Sequence, residues 1–429
     1  DILSSHVIVC TPQILINLLT SIRSEERMFV CDMTMLFLDE CHHTCEKHPY
    51  AQLMTIIRKW EYDKPQIIGM SASLGVGKKG ISDIESALSH VLSLLARINA
   101  TSISTVRNNI QDLNRYVSLP TDNIIEAIRS RGNCPFSSSI KELMTKVTRS
   151  IESDLLKLTE KNNEYGVFIP LNIIKNNIGV EQTARYNGYL NEMIYRLKKL
   201  DNDKFKARLI HAFDLLKLYS SCLEMNDLLP ASMAFSQLNN DIVRDFEKTQ
   251  KDKGIIFEEF ISVYWSKSND MKNYAQYEKD KDMLDKLRKE IKDQLERNIN
   301  SRIIIFVNTR DLSKLLSQYI NDQKLLPPKK KCVYIISAND RGSSSTTQSA
   351  RDQMESLDSF RKGEAQIMVA TTVAEEGLDV PECNLIIKYN MTGNVIALAQ
   401  QRGRARARNS KSVLIVLNNS VLERERENI

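Results

Sequence analysis

Two adjacent carboxylates, Asp39 and Glu40, close an apolar run in MLFLDECHHT (Met35 to Thr44), and Cys41, His42 and His43 follow at once. A continuous apolar run of this length reads as a buried strand of a parallel sheet, and ligands of such sheets collect at the carboxyl ends of strands. There the two acids can divide two jobs. The first holds Mg²⁺ through its waters, and the second orients or deprotonates an attacking water. That is the acidic half of a nucleotide-hydrolase site, the Walker B logic. An acidic pair at a strand end is also a common surface feature, so the pair alone does not decide. Cys41, Cys45, His42, His43 and His48 raise a zinc site as the rival. No second Cys/His cluster supplies the paired spacing of structural zinc, and His6, His90 and His211 are scattered.

A second group of chemically able residues stands far downstream. In ALAQQRGRARARNSK (Ala397 to Lys411), Arg402, Arg404, Arg406 and Arg408 alternate with small residues and give a dense, fixed charge suited to phosphate oxygens. Alone, such a stretch is as readily a surface patch or a nucleic-acid contact. Its reading changes because LDECH and Ser71-Ala72-Ser73 precede it in order.

The elements that must position these residues fall into three blocks. The first third alternates short apolar runs with helical patterns: VIVC (Val7 to Cys10), PQILINLLTSI, MLFLD, a helix near Gln52 to Trp60, and QIIGMSA (Gln66 to Ala72). Alternation of this kind is α/β with a parallel sheet. From about Asp122 to Ile299 the chain turns to long helical periodicity, as in YLNEMIYRLKKL and LIHAFDLLKLYSSCLEM, whose apolar stripes are core packing of a helical bundle. Asp280 to Asn298 reads as a solvated, charged helix. Beyond Ser301, RIIIFVNTR, VYIISAND, QIMVATT, LIIKYN and SVLIVLNN give five apolar strands with crossovers, a second α/β domain. GSSSTTQSA (Gly342 to Ala350) is a polar loop.

Composition bounds the partners. With 429 residues the chain can hold two or three domains, and a net charge of only +5 tolerates nucleic acid without arguing for it. Eight dispersed cysteines point to a reduced, intracellular protein. No apolar run approaches bilayer length, and the start at Asp1 lacks a signal-peptide leader, so the chain reads as beginning inside something larger.

VCTPQIL, LDECHHT, MSAS, IFVNTR, VATTVAEEGLDVPECN and QQRGRARAR stand in the order of the superfamily 2 helicase motifs, and their spelling is similar to the RIG-I-like receptors. HPYAQLM (His48 to Met54), SASLGVG, RYN (Arg185 to Asn187) and GNVIALAQQRGRARAR extend the resemblance to nearly the whole chain, most weakly in the helical middle. It implies an α/β fold of two RecA-like parallel-sheet domains with an all-helical insertion in the second. Residues 1–115 would be the C-terminal part of the first domain and 116–150 the start of the second. Residues 151–278 would be the insertion, and 279–429 the RecA-like core of the second.

Carried over by position, the resemblance makes Asp39, Glu40, Arg404 and Arg406 catalytic, with Asp39 on Mg²⁺ through water and the two arginines acting as fingers on the phosphates of ATP. Asp39, Glu40, His42, Gly377, Asp379, Gln400, Arg404 and Arg406 would line the ATP site, and Ser71 and Ser73 would couple ATP state to RNA. Thr11, Pro12, Gln13, Thr309, Arg310, Thr371 and Thr372 would face RNA. A track of small hydroxyls and amides holds phosphates without reading bases, so the partner is double-stranded RNA taken largely by shape. Helix capping is the competing use of each threonine.

Two departures from the family pattern stand out. SANDRGSSSTTQ keeps only Gly342 where the family commonly has more glycine. No G-x-x-x-x-G-K-[ST] precedes Asp39, and GVGKKGIS (Gly75 to Ser82) follows Ser-Ala-Ser and lacks that spacing. The chain therefore reads as a truncated helicase core of a double-stranded-RNA-activated ATPase or translocase, a cytoplasmic antiviral sensor, expected to be inactive as this piece. The rivals are the helicase module of a Dicer-like nuclease and an RNA-binding signalling protein with little ATP turnover. A DNA-directed helicase fits the spelling less well.

Overall fold

The computed structural model describes residues 4–23, 25, 27–44, 48–71, 84–106, 108–112, 120–129, 134–161, 183–199, 204–253, 258–279, 281–336, 346–371, 381–391 and 410–417. The chain divides into two units. One comprises residues 1–120 with 392–410 and 424–429, and the other residues 121–391 with 411–423.

In the first unit, β1 (Met35–Leu38) and β2 (Gln66–Gly69) pair in parallel, with Met35 opposite Gln66 and Leu38 opposite Gly69. Helix α1 (Pro12–Thr20) opens on a proline, whose missing N–H costs nothing at a helix start, and turns Leu15, Ile16 and Leu19 inward. Helix α2 (Pro49–Lys59) does the same with Leu53, Met54 and Ile57, and α3 (Ile84–Ile98) follows β2. Together with Val30, Leu38, Cys41 and Ile98 they form one apolar core.

Two expectations fail here. The Met35–Leu38 strand is not buried throughout: Leu38 is 1% exposed, whereas Met35 and Phe37 are 44% and 55% exposed. Side chains of a strand alternate between faces, and only the face carrying Leu36 and Leu38 meets the core. VIVC is not a strand, and Val7 and Val9 are 81% and 94% exposed. A strand exists only through a ladder, and among the described residues none lies beside it.

The second unit holds a six-stranded sheet in the order β3-β8-β7-β4-β6-β5, every pair parallel. Its strands are β3 (Thr121–Glu126), β4 (Ile303–Phe306), β5 (Lys331–Ile335), β6 (Ala365–Ala370), β7 (Leu385–Tyr389) and β8 (Lys411–Val416). All five expected strands are present, and β3 is a sixth that the polar TDNIIE conceals within a stretch read as helical. The central β4, β6 and β7 are buried along their whole length, each aliphatic side chain contributing about 2 kcal/mol.

Between β3 and β4 the chain forms a helical block: α4 (Pro135–Ser150), α5 (Glu152–Lys161), α6 (Thr183–Lys199), α7 (Lys204–Leu228), α8 (Ala231–Lys253) and α9 (Glu258–Tyr277). Its apolar stripes pack on each other, with Ile140, Leu190, Phe213 and Tyr264 at the centre of a core of its own. Helix α10 (Asp282–Arg297) then returns to the sheet. It is not simply solvated: Met283, Leu284, Leu287 and Ile291 are buried against the strands, and Glu290 is buried with them in an ion pair to Lys411. Helices α11 (Arg310–Asp322) and α12 (Ala350–Arg361) provide the remaining described crossovers. Among the described residues no helix is long and apolar enough to cross a membrane.

Candidate functional site

The acidic pair sits directly after β1, as a ligand site at a strand end requires. Glu40 adopts the left-handed conformation (φ 49°, ψ 46°), which costs a side-chain-bearing residue on the order of 1 kcal/mol. The turn is held from several sides. Met70 donates its N–H to Leu38 (2.9 Å) and Cys41 donates to Met70 (2.9 Å), so the β1–β2 ladder continues past the strand ends. Tyr50 donates its hydroxyl to the Asp39 carbonyl at 2.8 Å, tying the turn to α2. Asp39 Oδ1 accepts the Glu40 N–H at 3.0 Å, which orients an otherwise exposed carboxylate.

His42 joins the two strand tips. Its Nδ1 lies 2.9 Å from Ser71 Oγ and 3.3 Å from Glu40 Oε2, with the ring side chain only 1% exposed. A single imidazole thus links the acidic turn to the Ser71 segment. Glycine at 69 permits this approach: a Cβ there would stand 2.9 Å from Cys41 Sγ and 2.9 Å from Ile98 Cδ1. A chain of ring contacts runs outward from His42 through His43 (4.2 Å, tilted), His48 (5.7 Å from His43, stacked) and Tyr50 (4.7 Å from His48, tilted).

Burial sets the ionisation of the neighbours. It pushes the Cys41 thiol up, and the Glu40 and Asp39 charges push the same way against its own backbone bond, so Cys41 stays a thiol. Burial, with His43 beside it, lowers His48. His48 Nδ1 accepts the Tyr50 N–H (3.2 Å) and caps α2, a role open only to the neutral ring. Burial raises Tyr50, and Asp39 adds to it. Among the described residues no group of three or more His, Cys, Asp or Glu could hold a metal directly, while Asp39 fits a metal bound through water.

The positions assigned to RNA divide sharply. Thr11 and Gln13 are exposed at the start of α1, and the Thr11 hydroxyl makes no capping bond. Pro12 opens the helix between them. In the second unit the Thr309 hydroxyl caps α11, accepting the Leu312 N–H at 3.3 Å. Thr371 is 7% exposed, and its N–H donates to Ile335 at 3.2 Å. Arg310 lines a cleft of about 450 Å³ whose opposite wall is one face of α7 and α8, including Asp214, Glu224, Asp241 and Asp245. Ser73, Thr372, Gly377, Asp379, Gln400, Arg404 and Arg406 lie outside the described residues. The sequence reading did not single out Tyr50 and Gly69; HPYAQLM was noticed only as a likeness, and its tyrosine proves to hold the acidic turn.

A parallel six-stranded sheet with a helical block between its first and second strands gives the class, a mixed α/β protein, and comparison with known families narrows it. The helicase conserved C-terminal domain matches residues 282–408, and the RIG-I receptor C-terminal domain matches residues 122–276. The antiviral innate immune response receptor RIG-I of Homo sapiens is 28% identical over 99% of this chain and 45% of its own length. The ATP-dependent RNA helicase DHX58 of Mus musculus is 25% identical over 94% of this chain and 56% of its own. Dicer-like protein 1 of Phaeosphaeria nodorum is 26% identical over 94% of this chain and 23% of its own. The chain is thus similar along nearly its whole length to RIG-I-like helicases, and it spans about half the length of the RIG-I-like relatives it matches.

Proposed function

We propose that this chain is part of a cytoplasmic, double-stranded-RNA-activated ATPase that senses viral RNA. The observation that carries the reading is the acidic turn. Asp39 and Glu40 stand at a strand end on a left-handed turn, and His42 ties that turn to Ser71 at 2.9 Å. In this reading His42, in contact with both the Glu40 carboxylate and the Ser71 hydroxyl, gives a mechanical route between nucleotide and RNA. Names of the relatives, an antiviral receptor and an RNA helicase, agree with this use.

In this reading Asp39 would hold Mg²⁺ through water, and Glu40 would orient the water that attacks the terminal phosphate of ATP, taking up its proton as the bond to the ADP oxygen breaks. His42 keeps Glu40 and Ser71 in register. Arg404 and Arg406 supply charge to the phosphoryl group, and Gly377, Asp379 and Gln400 complete the nucleotide contacts. Thr11, Pro12 and Gln13 offer an open phosphate contact, with Thr309, Arg310, Thr371 and Thr372 as the second track. The domain borders proposed are 1–115, 116–150, 151–278 and 279–429.

The test is ATP turnover by the longer protein to which this chain belongs, with and without duplex RNA. Glu40→Gln is expected to lower RNA-stimulated turnover by about 10³ while RNA binding persists, and normal turnover in that variant would sink the assignment. Duplex RNA should activate where duplex DNA does not. The 429-residue chain by itself should hydrolyse no ATP above a buffer control. Ribonuclease III domains in the adjoining sequence would instead favour a Dicer-like nuclease.

A further inference from the structure

Among the described residues the second unit has two large apolar cores, with a small third where β3 meets β8. The helical block is built around residues such as Phe213 and Tyr264, and the sheet around residues such as Ile305 and Ile387; Met225 packs against both, and the junction also holds buried polar groups. Two connections cross it, one between β3 and α4 and one between α9 and α10, and the end of α7 at residues 225–229 reaches it from the block.

These crossings are fastened by directional contacts. Arg129 Nε lies 3.4 Å from Asp227 Oδ2, the two side chains 13% and 5% exposed. Cys134 donates its thiol to Glu278 Oε2 at 2.9 Å, and Glu278 also pairs with Lys281, whose side chain is 6% exposed. Asn226 donates to Ser137 Oγ at 3.0 Å and faces Cys134 Sγ at 3.7 Å. The Ile128 N–H donates to Asp282 at 2.8 Å, and the Tyr389 hydroxyl reaches from the sheet to the Leu228 carbonyl at 2.8 Å. Burial lowers Lys281, opposed by Cys134 and Asp227.

Apolar contacts are non-directional and tolerate sliding, whereas a buried ion pair with hydrogen bonds is satisfied in one geometry only. Such pairs add little net stability over apolar substitutes of the same shape, and their use is to specify an arrangement. We propose that the buried neck formed by Arg129, Cys134, Asp227, Glu278 and Lys281 is a positioning device that fixes the angle of the helical block on the sheet. That angle sets the width of the cleft in which α7 and α8 face Thr309 and Arg310. The neck therefore decides how open the start of α11 is to anything that reaches it. This assignment concerns the arrangement of the second unit and stands apart from ATP chemistry.

Spin labels at Glu247→Cys on α8 and Gln318→Cys on α11, both exposed positions, report the angle as a distance distribution in the full chain. Cys10, Cys31 and Cys45 are replaced by serine so that labelling is confined to the pair. Replacing the neck pair by apolar residues, Glu278→Leu with Lys281→Met, should broaden the distribution about twofold while the urea midpoint stays within error. The same exchange at another buried pair of this unit, Glu290→Leu with Lys411→Met (2.7 Å in the parent), should leave the width unchanged. Glu278→Gln keeps the shape and removes only the charge, and should broaden the distribution by a lesser amount. An unchanged width in the neck variants, or equal broadening in the Glu290/Lys411 control, would overturn the proposal. Should the double neck variant fail to fold, Glu278→Gln decides alone: a parental width in it shows a neck that stabilises without positioning.

Discussion

The two parallel sheets of this chain treat the same kind of strand sequence in opposite ways. MLFL in β1 and IIIF in β4 are both four-residue apolar runs, yet β4 is buried at every position and β1 at Leu38 alone. The difference lies in the neighbours. Strand β4 has β7 on one side and β6 on the other, with helices and the rest of the sheet around it. Strand β1 has only β2 among the described residues, and its core contact is on one face. An apolar run forms a strand where a partner lies alongside, and the number of layers around that strand sets how much energy the run contributes.

The largest test of this contrast is a matched pair of truncations. Ile305→Ala should destabilise the second unit by about 3 kcal/mol, and Phe37→Ala the first by less than about 1 kcal/mol, read as urea midpoints and as hydrogen exchange in peptides of each strand. Equal losses would mean that Phe37 is covered in solution. A smaller effect separates the two tyrosine hydroxyls. Tyr389→Phe strands the buried Leu228 carbonyl and should cost about 2 kcal/mol, whereas Tyr50→Phe frees the Asp39 carbonyl beside solvent and should cost about 1 kcal/mol.

The smallest effect is a pH dependence confined to the first unit. His48 is held below its ordinary value of 6.5, so its contribution is full above 6.5 and is lost as pH falls through the lower folded value. Protonation also removes the Nδ1 acceptor that caps α2. The first unit should therefore lose stability between neutral and mildly acidic pH. His48→Asn, which caps without titrating, should flatten that part of the profile, and an unchanged profile would assign it to another group.

How much of this was legible depended on whether a residue's role was local. Strands β4 to β8 were read directly because long aliphatic runs allow few alternatives, and the strand, helix, strand order of the blocks followed from periodicity. Strand β3 escaped because TDNIIE carries just two apolar residues, enough for an edge that needs a ladder on one side only. VIVC misled for the converse reason, since composition cannot report whether a partner strand is alongside. Asp39 and Glu40 were visible as an acidic pair. The tyrosine and glycine that hold their turn were not, because Tyr50 and Gly69 act through contacts that no spacing rule encodes. Thr309 shows the ambiguity of a hydroxyl at a helix start: one and the same residue type caps its helix here and makes no capping bond at Thr11.

The helical block interrupts the second sheet in sequence but not in space, for Thr121 pairs with Lys411 across the whole of it. During synthesis β3 emerges first and must wait, unpaired, until β8 has been made. Helices α4 to α9 emerge in the meantime and hold nearly all of their contacts among themselves, so they can fold at once as a local unit. The order of assembly is thereby set by the insertion point: helices early, the β3–β8 ladder last. A cell making this chain carries an open strand edge for most of the translation time, and that edge is the place where a chaperone or a misfolded neighbour would take hold.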